Sequence, residues 1–259
     1  YTRQDKAAVE PLKTLAAKSQ LPQGRMHATY ALAGLSSIDD DNVLVLLKDS
    51  HPQVRRHALL VGERLGADAR THGELFFLAG DDDAEVRYQA AFSYGEILAA
   101  ALQKPTGSSE EQARDRRMTA DLIAFRIAQD AGDRWMNAAW QSSLRDFGGD
   151  VLAAMLTLAD TRDLPGALPL MERLATQVSL RNDAQEIERV LAALERVPAN
   201  ITSGPLAVTR GLMQGLKKPN SEISKLAAAG KLAKMQSIVD SMLAKSTATA
   251  VDEKAATKA

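Results

Sequence analysis

The sequence predicts an all-α fold, a superhelix of antiparallel helix pairs stacked side by side. Three observations carry that expectation. DSHPQVRRHALLVGERL at 49–65 lies without a gap on DDDAEVRYQAAFSYGEIL at 81–98, placing Asp49 on Asp81, Val54 on Val86, Arg55 on Arg87 and Ala58 on Ala90. A unit returning every 32 residues is a supersecondary repeat that buries its face by stacking on its neighbours. Both copies follow a short apolar run, VLVLLK or ELFFLAG, that reads as the first helix of a pair. Finally, aromatic residues make up only 4% of the chain, and no stretch shows the period-two alternation of a half-buried strand.

Taken in order, 5–19 reads as a helix with Pro11 as a break or late start. Residues 20–24 turn the chain into a partner helix over 25–36. Ser37 to Asp41 form an acidic turn suited to capping a short helix at 42–49. Pro52 then starts the next helix, at a position that tolerates its missing amide. Helices follow over 52–66, 70–80 and 84–102. The stretch KPTGSSEEQARDRRM at 104–118 is an insertion; Ser108 and Glu111 have capping-box spacing, which predicts a helix over 109–130 whose first turns project from the stack. FGGD at 147–150 reads as a stop followed by a start. Further helices are expected over 151–160, 166–178 and 183–196, from about Pro205, and over 222–244. Residues 245–259 read as a disordered linker. The expected organisation is repeats over 1–146, degenerate helical repeats over 147–244, and that tail.

Inside the unit, the turn aspartate can accept from amides of the following helix. The arginine six residues later sits on that helix's first turn, where its fork can reach turn carboxylates of its own and the adjacent repeat. Val54, Ala58, Leu59, Gly62 and Leu65 form one helical face. Two flanking stretches fit less well. Arg25 and Ala28 match upstream, with Ser19 in the aspartate's place. Downstream, Asp130 matches if Trp135 takes the valine position and Ala139 the alanine; Met136 then replaces the arginine, with Arg134 as a substitute. The ladder so defined comprises Asp49, Arg55, Asp81, Arg87, Arg25 and Asp130. His27 and His57 join it, since both immediately precede the repeat alanine; Gln89 continues their row. The two histidines are expected to hydrogen-bond turns between repeats.

Composition narrows the chemistry. Lys and Arg number 32 against 33 Asp and Glu, so the chain lacks the basic excess of a phosphate-tracking protein, and nucleic acid is a poor default partner. Zero cysteines remove disulfides, thiolate metal sites and thiol nucleophiles. No P-loop, G-x-S-x-G or H-E-x-x-H pattern occurs, and the His27/His57 pair lacks a third ligand and the spacing for one ion. No catalytic residue, cofactor or metal site is therefore assigned. The interaction-surface candidates are Trp135 and Trp140 with Arg114, Arg116 and Arg117 of the insertion. Beginning at Tyr1 without Met, the chain reads as a segment of a longer protein.

The D-x4-V-R pattern on helix pairs resembles HEAT repeats. More widely, the order RMHATYALAGL, KDSHPQVRRHALLVGERL, DDDAEVRYQAAFSYGEIL, then the Trp135 segment ending QSSL, is similar to the HEAT region of large exported bacterial proteins of the membrane-bound-dehydrogenase-like, haem-binding CxxCH type. MERLATQVSLRNDAQEIERVLAAL and GPLAVTRGLMQGLKK look like that region's continuation. The resemblance implies a spacer and docking scaffold between a dehydrogenase-like propeller and a c-type cytochrome domain, in an exported, periplasmic setting. Its partners would be protein domains of the same longer chain, with no membrane insertion in this segment. The propeller and haem motifs lie outside it. The leading expectation is a non-catalytic protein-interaction scaffold. The rivals are a helical-repeat enzyme of lyase or glycosylase type acting in a concave groove, and metal binding by His27 and His57.

Overall fold

The computed structural model describes residues 5–65, 69–103, 108–144, 147–218, 220–241 and 244, and among them there is no strand. The chain is an all-α protein of packed helix pairs. In chain order the helices are α1 (Val9–Lys18), α2 (Pro22–Gly34), α3 (Asp40–Leu47), α4 (Pro52–Leu65), α5 (Ala69–Leu78), α6 (Ala84–Gln103), α7 (Ser109–Gln129), α8 (Arg134–Ser143), α9 (Gly148–Thr157), α10 (Ala159–Arg162), α11 (Leu168–Arg181), α12 (Ala184–Arg196), α13 (Ser203–Leu216) and α14 (Glu222–Ala228). Residues 233–241 are also helical. The linker expected over 245–259, and 104–107 of the insertion, lie outside the described residues.

The described residues fall into two compact units, one within Tyr1–Gly107 plus Ala138–Leu144, the other within Ser108–Asn137 plus the chain from Arg145. α7 falls in the second of these, with the helices that follow Arg145. Its buried stripe of Ala120, Ile123, Ala124 and Ile127 supplies a packing face, and α7 packs on α9 and α10.

The first unit is built of pairs. α1 packs on α2, α3 on α4 and α5 on α6, while each second helix packs on the next, α2 on α4 and α4 on α6. The starts are set locally. Pro22 occupies the first turn of α2, three residues earlier than the spacing suggested, and Pro52 opens α4. Asp39 caps α3 through a reciprocal capping box with Asn42. Val54, Ala58 and Leu59 on α4 and Val86, Ala90 and Ala91 on α6 are buried, as the repeat alignment requires. Leu65, assigned to that face, is instead exposed at the end of its helix.

The second unit has α9 at its centre, in contact with α7, α11 and α12. GGDVLAAMLT is apolar nearly all round, and a helix with no polar face is stable only when covered on all sides. FGGD, expected as a stop followed by a start, opens α9 three residues before the expected 151, with Gly148 and Gly149 in the first turn. Ser108 and Glu111 form the expected capping box on α7. Asn182 ends α11 in the left-handed conformation (φ 64°), and Asp183 caps α12 by accepting from the Glu186 amide.

The tightest packing joins α11 to α13. Gly204, Gly211 and Gly215 are buried on α13 together with Ala207 and Val208. A Cβ at Gly211 would collide with the Glu172 carbonyl oxygen and lie 2.5 Å from the Ala175 Cβ, so the two helix backbones approach as closely as a missing side chain permits. Gly73 on α5 is the opposite case: a Cβ there meets nothing within 4 Å. Gly211→Ala is expected to destabilise the protein by about 1–3 kcal/mol through overpacking. Gly73→Ala should stabilise it by about 0.5–1 kcal/mol by raising helix propensity. Urea melts of the two variants check the pair, and equal effects would contradict this packing.

Candidate functional site

Of the charged residues singled out in the repeat, Arg25, Asp49, Arg55, Asp81 and Arg87 are assembled into one ladder. Arg25 donates from Nε and Nη2 to the two carboxylate oxygens of Asp49, at 2.6 and 2.7 Å, and from Nη1 to the Ser19 carbonyl at 2.6 Å. Arg55 repeats this one unit later. Its Nε and Nη2 each lie 2.7 Å from the Asp81 carboxylate, and its Nη1 donates to the Asp49 carbonyl at 2.8 Å. Arg87 continues the series by donating from Nη1 to the Asp81 carbonyl at 2.7 Å. Each arginine thus holds its own turn by a carbonyl six residues back and, for Arg25 and Arg55, the next turn by its carboxylate.

One detail differs from the sequence expectation. The fork does not reach its own turn's carboxylate, because that carboxylate already faces the preceding arginine. Asp49 Oδ1 also accepts from the His51 amide at 2.8 Å, and Asp81 Oδ1 from the Asp83 amide at 2.9 Å. Ser19 makes the same local turn, its hydroxyl accepting from the Leu21 amide at 3.3 Å. A serine suffices there, since no described arginine fork engages its side chain.

The downstream copy is shifted by one residue from the expected alignment. Asp83 accepts from the Glu85 and Val86 amides, and Asp133 accepts from the Trp135 and Met136 amides in the same way. Met136 therefore takes the valine position and is buried, while Trp135 is 59% exposed. The arginine's place falls to Asn137, whose Nδ2 donates to the Ala131 carbonyl six residues back at 2.8 Å and to the Gly166 carbonyl at 3.3 Å. Ala131, not Asp130, is then the turn position. Arg134 does not substitute for the ladder arginine; its guanidinium lies over the Trp135 ring at 4.5 Å. The DAGD spacing, with Asp133 two residues before Trp135 as Asp83 is before Glu85, was the available signal for this register.

The histidine row bridges consecutive second helices rather than turns. His57 Nδ1 lies 2.8 Å from the Tyr30 hydroxyl, with the rings edge to face at 5.5 Å. Gln89, next in the row, donates to Glu63 of α4 at 3.2 Å. His27 is exposed at the outer end. Burial, then the nearby Arg56 charge and His27, push the His57 pKa below its ordinary value, and burial raises that of Tyr30. Among the described residues no three His, Cys, Asp or Glu side chains gather as a metal would need.

The tryptophan pair separates. Trp135 stays on the surface, whereas Trp140 is 1% exposed, packed 6.0 Å from the Tyr94 ring, and is a core anchor rather than an interaction surface. Of the insertion arginines, Arg114 is exposed on its own, while Arg116 and Arg117 line a groove of about 390 Å³ formed by α7, α9 and α12. At its base Asp150 accepts from Arg116 at 2.6 Å and lies 3.4 Å from Arg189. The Arg116 guanidinium also covers the Phe147 ring at 4.8 Å. Arg189 and Arg196 come from α12, and Asp121 from α7. Sequence reading missed this convergence, since Asp150, Arg189 and Arg116 are far apart in the chain and share no motif.

A second buried pair was also unforeseen. Glu186 accepts from Arg181 through both carboxylate oxygens and from the Gly149 amide at 3.0 Å. A carboxylate thereby plugs the N-terminus of α9, where free amides and the helix dipole favour negative charge. Gly149 is required because a Cβ there would collide with the Glu186 side chain.

No family model matches the chain, and no curated protein matches it.

Asp81→Ala strips both fork bonds from Arg55 and leaves a guanidinium only 16% exposed. A loss of about 2–4 kcal/mol in urea unfolding is expected. Glu10→Ala, which breaks an exposed 3.9 Å contact with Lys13, should change stability by under about 0.5 kcal/mol. A comparable effect in the two variants would show that the ladder does not hold the stack. His57 gives a pH signature. Its folded pKa lies below its ordinary value, so its contribution is present above about pH 6.5 and is lost as pH falls. Between about pH 7.5 and 5.5, stability should drop more in the parent protein than in His57→Gln; parallel profiles would exclude His57 as the source.

Proposed function

We propose that this chain is a non-catalytic scaffold that presents a surface of stacked helix pairs to other protein domains. Its resemblance to the HEAT region of the large haem-binding, dehydrogenase-like proteins supports a more specific setting. There it acts as a spacer between a dehydrogenase-like propeller and a c-type cytochrome domain of one longer chain.

The observation that carries this reading is how the repeat's charges are used. Asp81 accepts both nitrogens of the Arg55 fork and its own turn amide, and Asp49 does the same with Arg25 and its turn amide. Groups committed in this way join turns to turns; they are not poised to move protons or attack a substrate. Among the described residues no helix is long and apolar enough to cross a membrane.

A helical-repeat enzyme of lyase or glycosylase type is the second reading, and the arginine-lined groove with Asp121 and Asp150 is what favours it. The Asp150 carboxylate is already engaged by Arg116 at 2.6 Å and lies 3.4 Å from Arg189, so it is not free to meet a substrate. Crosslinking mass spectrometry on the chain together with the domains encoded beside it should give crosslinks from this segment's lysines to those domains. An absence of such crosslinks, combined with steeply salt-dependent DNA binding by the isolated chain, would favour the enzyme reading and overturn the scaffold.

A further inference from the structure

The groove of the second unit has a composition that specifies its occupant. Its three helices each contribute a single face. α7 supplies Arg116, Arg117 and Asp121, α9 supplies Asp150 with alanines, and α12 supplies Arg189 and Arg196 with alanines. The spacing on α9 and α12 follows i, i+3, i+4, i+7, so each stripe points into the same space. α9 contacts both α7 and α12 and forms the floor. With α7 and α12 each packed on α9, a further helix laid along α9 would rest over the groove, its axis about 8–10 Å from that of the floor helix.

The charges on the walls are of two kinds. Arg116 and Arg189 are engaged by Asp150, Arg116 at hydrogen-bond distance and Arg189 more loosely. Arg117 on α7 and Arg196 on α12 are exposed and make no hydrogen bond or ion pair with the described residues. Two unengaged guanidinium forks therefore flank a floor of Ala153 and Ala154, whose short side chains allow an incoming backbone to approach closely.

We propose that this groove docks an acidic helix from a protein partner. Carboxylates on the two flanks of that helix meet Arg117 and Arg196, and a small-residue stripe lies on α9. The proposal rests on the scaffold reading and names the surface and the partner chemistry. A nucleic-acid backbone fits less well. Glu188 and Glu195 are exposed on α12 beside the groove, and Asp121 lines it, so a continuous row of phosphates would meet acids within a few residues of each arginine. Discrete carboxylates on a helix avoid them.

The test uses the full chain and a fluorescent helix-forming peptide with two glutamate stripes flanking an alanine stripe, read by anisotropy. Binding is expected to weaken as salt rises. It should fall about tenfold in Arg117→Gln/Arg196→Gln, whose unengaged, exposed side chains can be replaced without loss of thermal stability. Ala154→Trp, which fills the floor, should abolish it, with helical content confirmed by circular dichroism. Equal binding of the all-glutamine peptide, no change in the arginine variant, or tighter binding of a DNA duplex than of the peptide would each overturn the proposal. Crosslinks to neighbouring domains that persist in the arginine variant would overturn this groove as the contact while leaving the scaffold reading standing.

Discussion

The first unit depends on one geometric fact: a guanidinium presents donors in two directions at once. A lysine in the same place could satisfy one turn. Arg25 and Arg55 satisfy two, the carbonyl that closes their own turn and the carboxylate that opens the next. The bond to the carbonyl relieves an acceptor beyond the end of a first helix that would otherwise be left to water. The bidentate pair fixes the angle between one helix pair and its neighbour. Both members are largely sheltered, with Asp81 only 7% exposed, so the geometry is held by burial and hydrogen bonding together rather than by surface attraction.

The same back-reach survives where the arginine does not. Asn137 takes the Ala131 carbonyl, Thr161 the Met155 carbonyl at 2.7 Å, and Ser221 the Gly215 carbonyl at 2.9 Å, each six residues earlier. What persists through the chain is thus the satisfaction of a helix-end acceptor by the start of the next helix. In the second unit the reach to a later turn passes from a bidentate guanidinium to single bonds, Asn137 to the Gly166 carbonyl at 3.3 Å and the Glu222 amide to Asn182 at 2.7 Å. Other devices serve there. Glu186 and Arg181 plug the N-terminus of α9, and the glycines of α13 let it lie against α11 with backbones nearly touching.

The repeat was legible because its parts are local. The aspartate, the arginine six residues on and the buried valine and alanine all lie within one turn and one helix, so a 32-residue alignment captures them. The downstream copy shows where that fails. Asp130 and Asp133 both offer a carboxylate before Trp135, and the Asp133 bonds to the Trp135 and Met136 amides, with Met136 buried at 5% and Trp135 exposed, select the later one. Sequence alone gives two aromatic residues at 135 and 140 equal standing; packing puts one in the core and leaves the other on the surface. FGGD shows the same limit: a start was expected just after it, at 151, but the glycines themselves lie in the first turn, where the Glu186 side chain occupies the space a Cβ at Gly149 would take.

By itself the sequence determined that the protein is helical, that its first helices pair and repeat, and that aspartate and arginine join the pairs. Those properties follow from helical periodicity, capping chemistry and a short repeat, all of which act over neighbouring residues. Tertiary structure alone decided which helices meet across long stretches of chain. It brought Arg116, Asp150 and Arg189 into one groove, Glu186 onto the first turn of α9, and α13 against α11. Side-chain shape and burial select such contacts only once the chain has folded back on itself, and no spacing along the sequence encodes them.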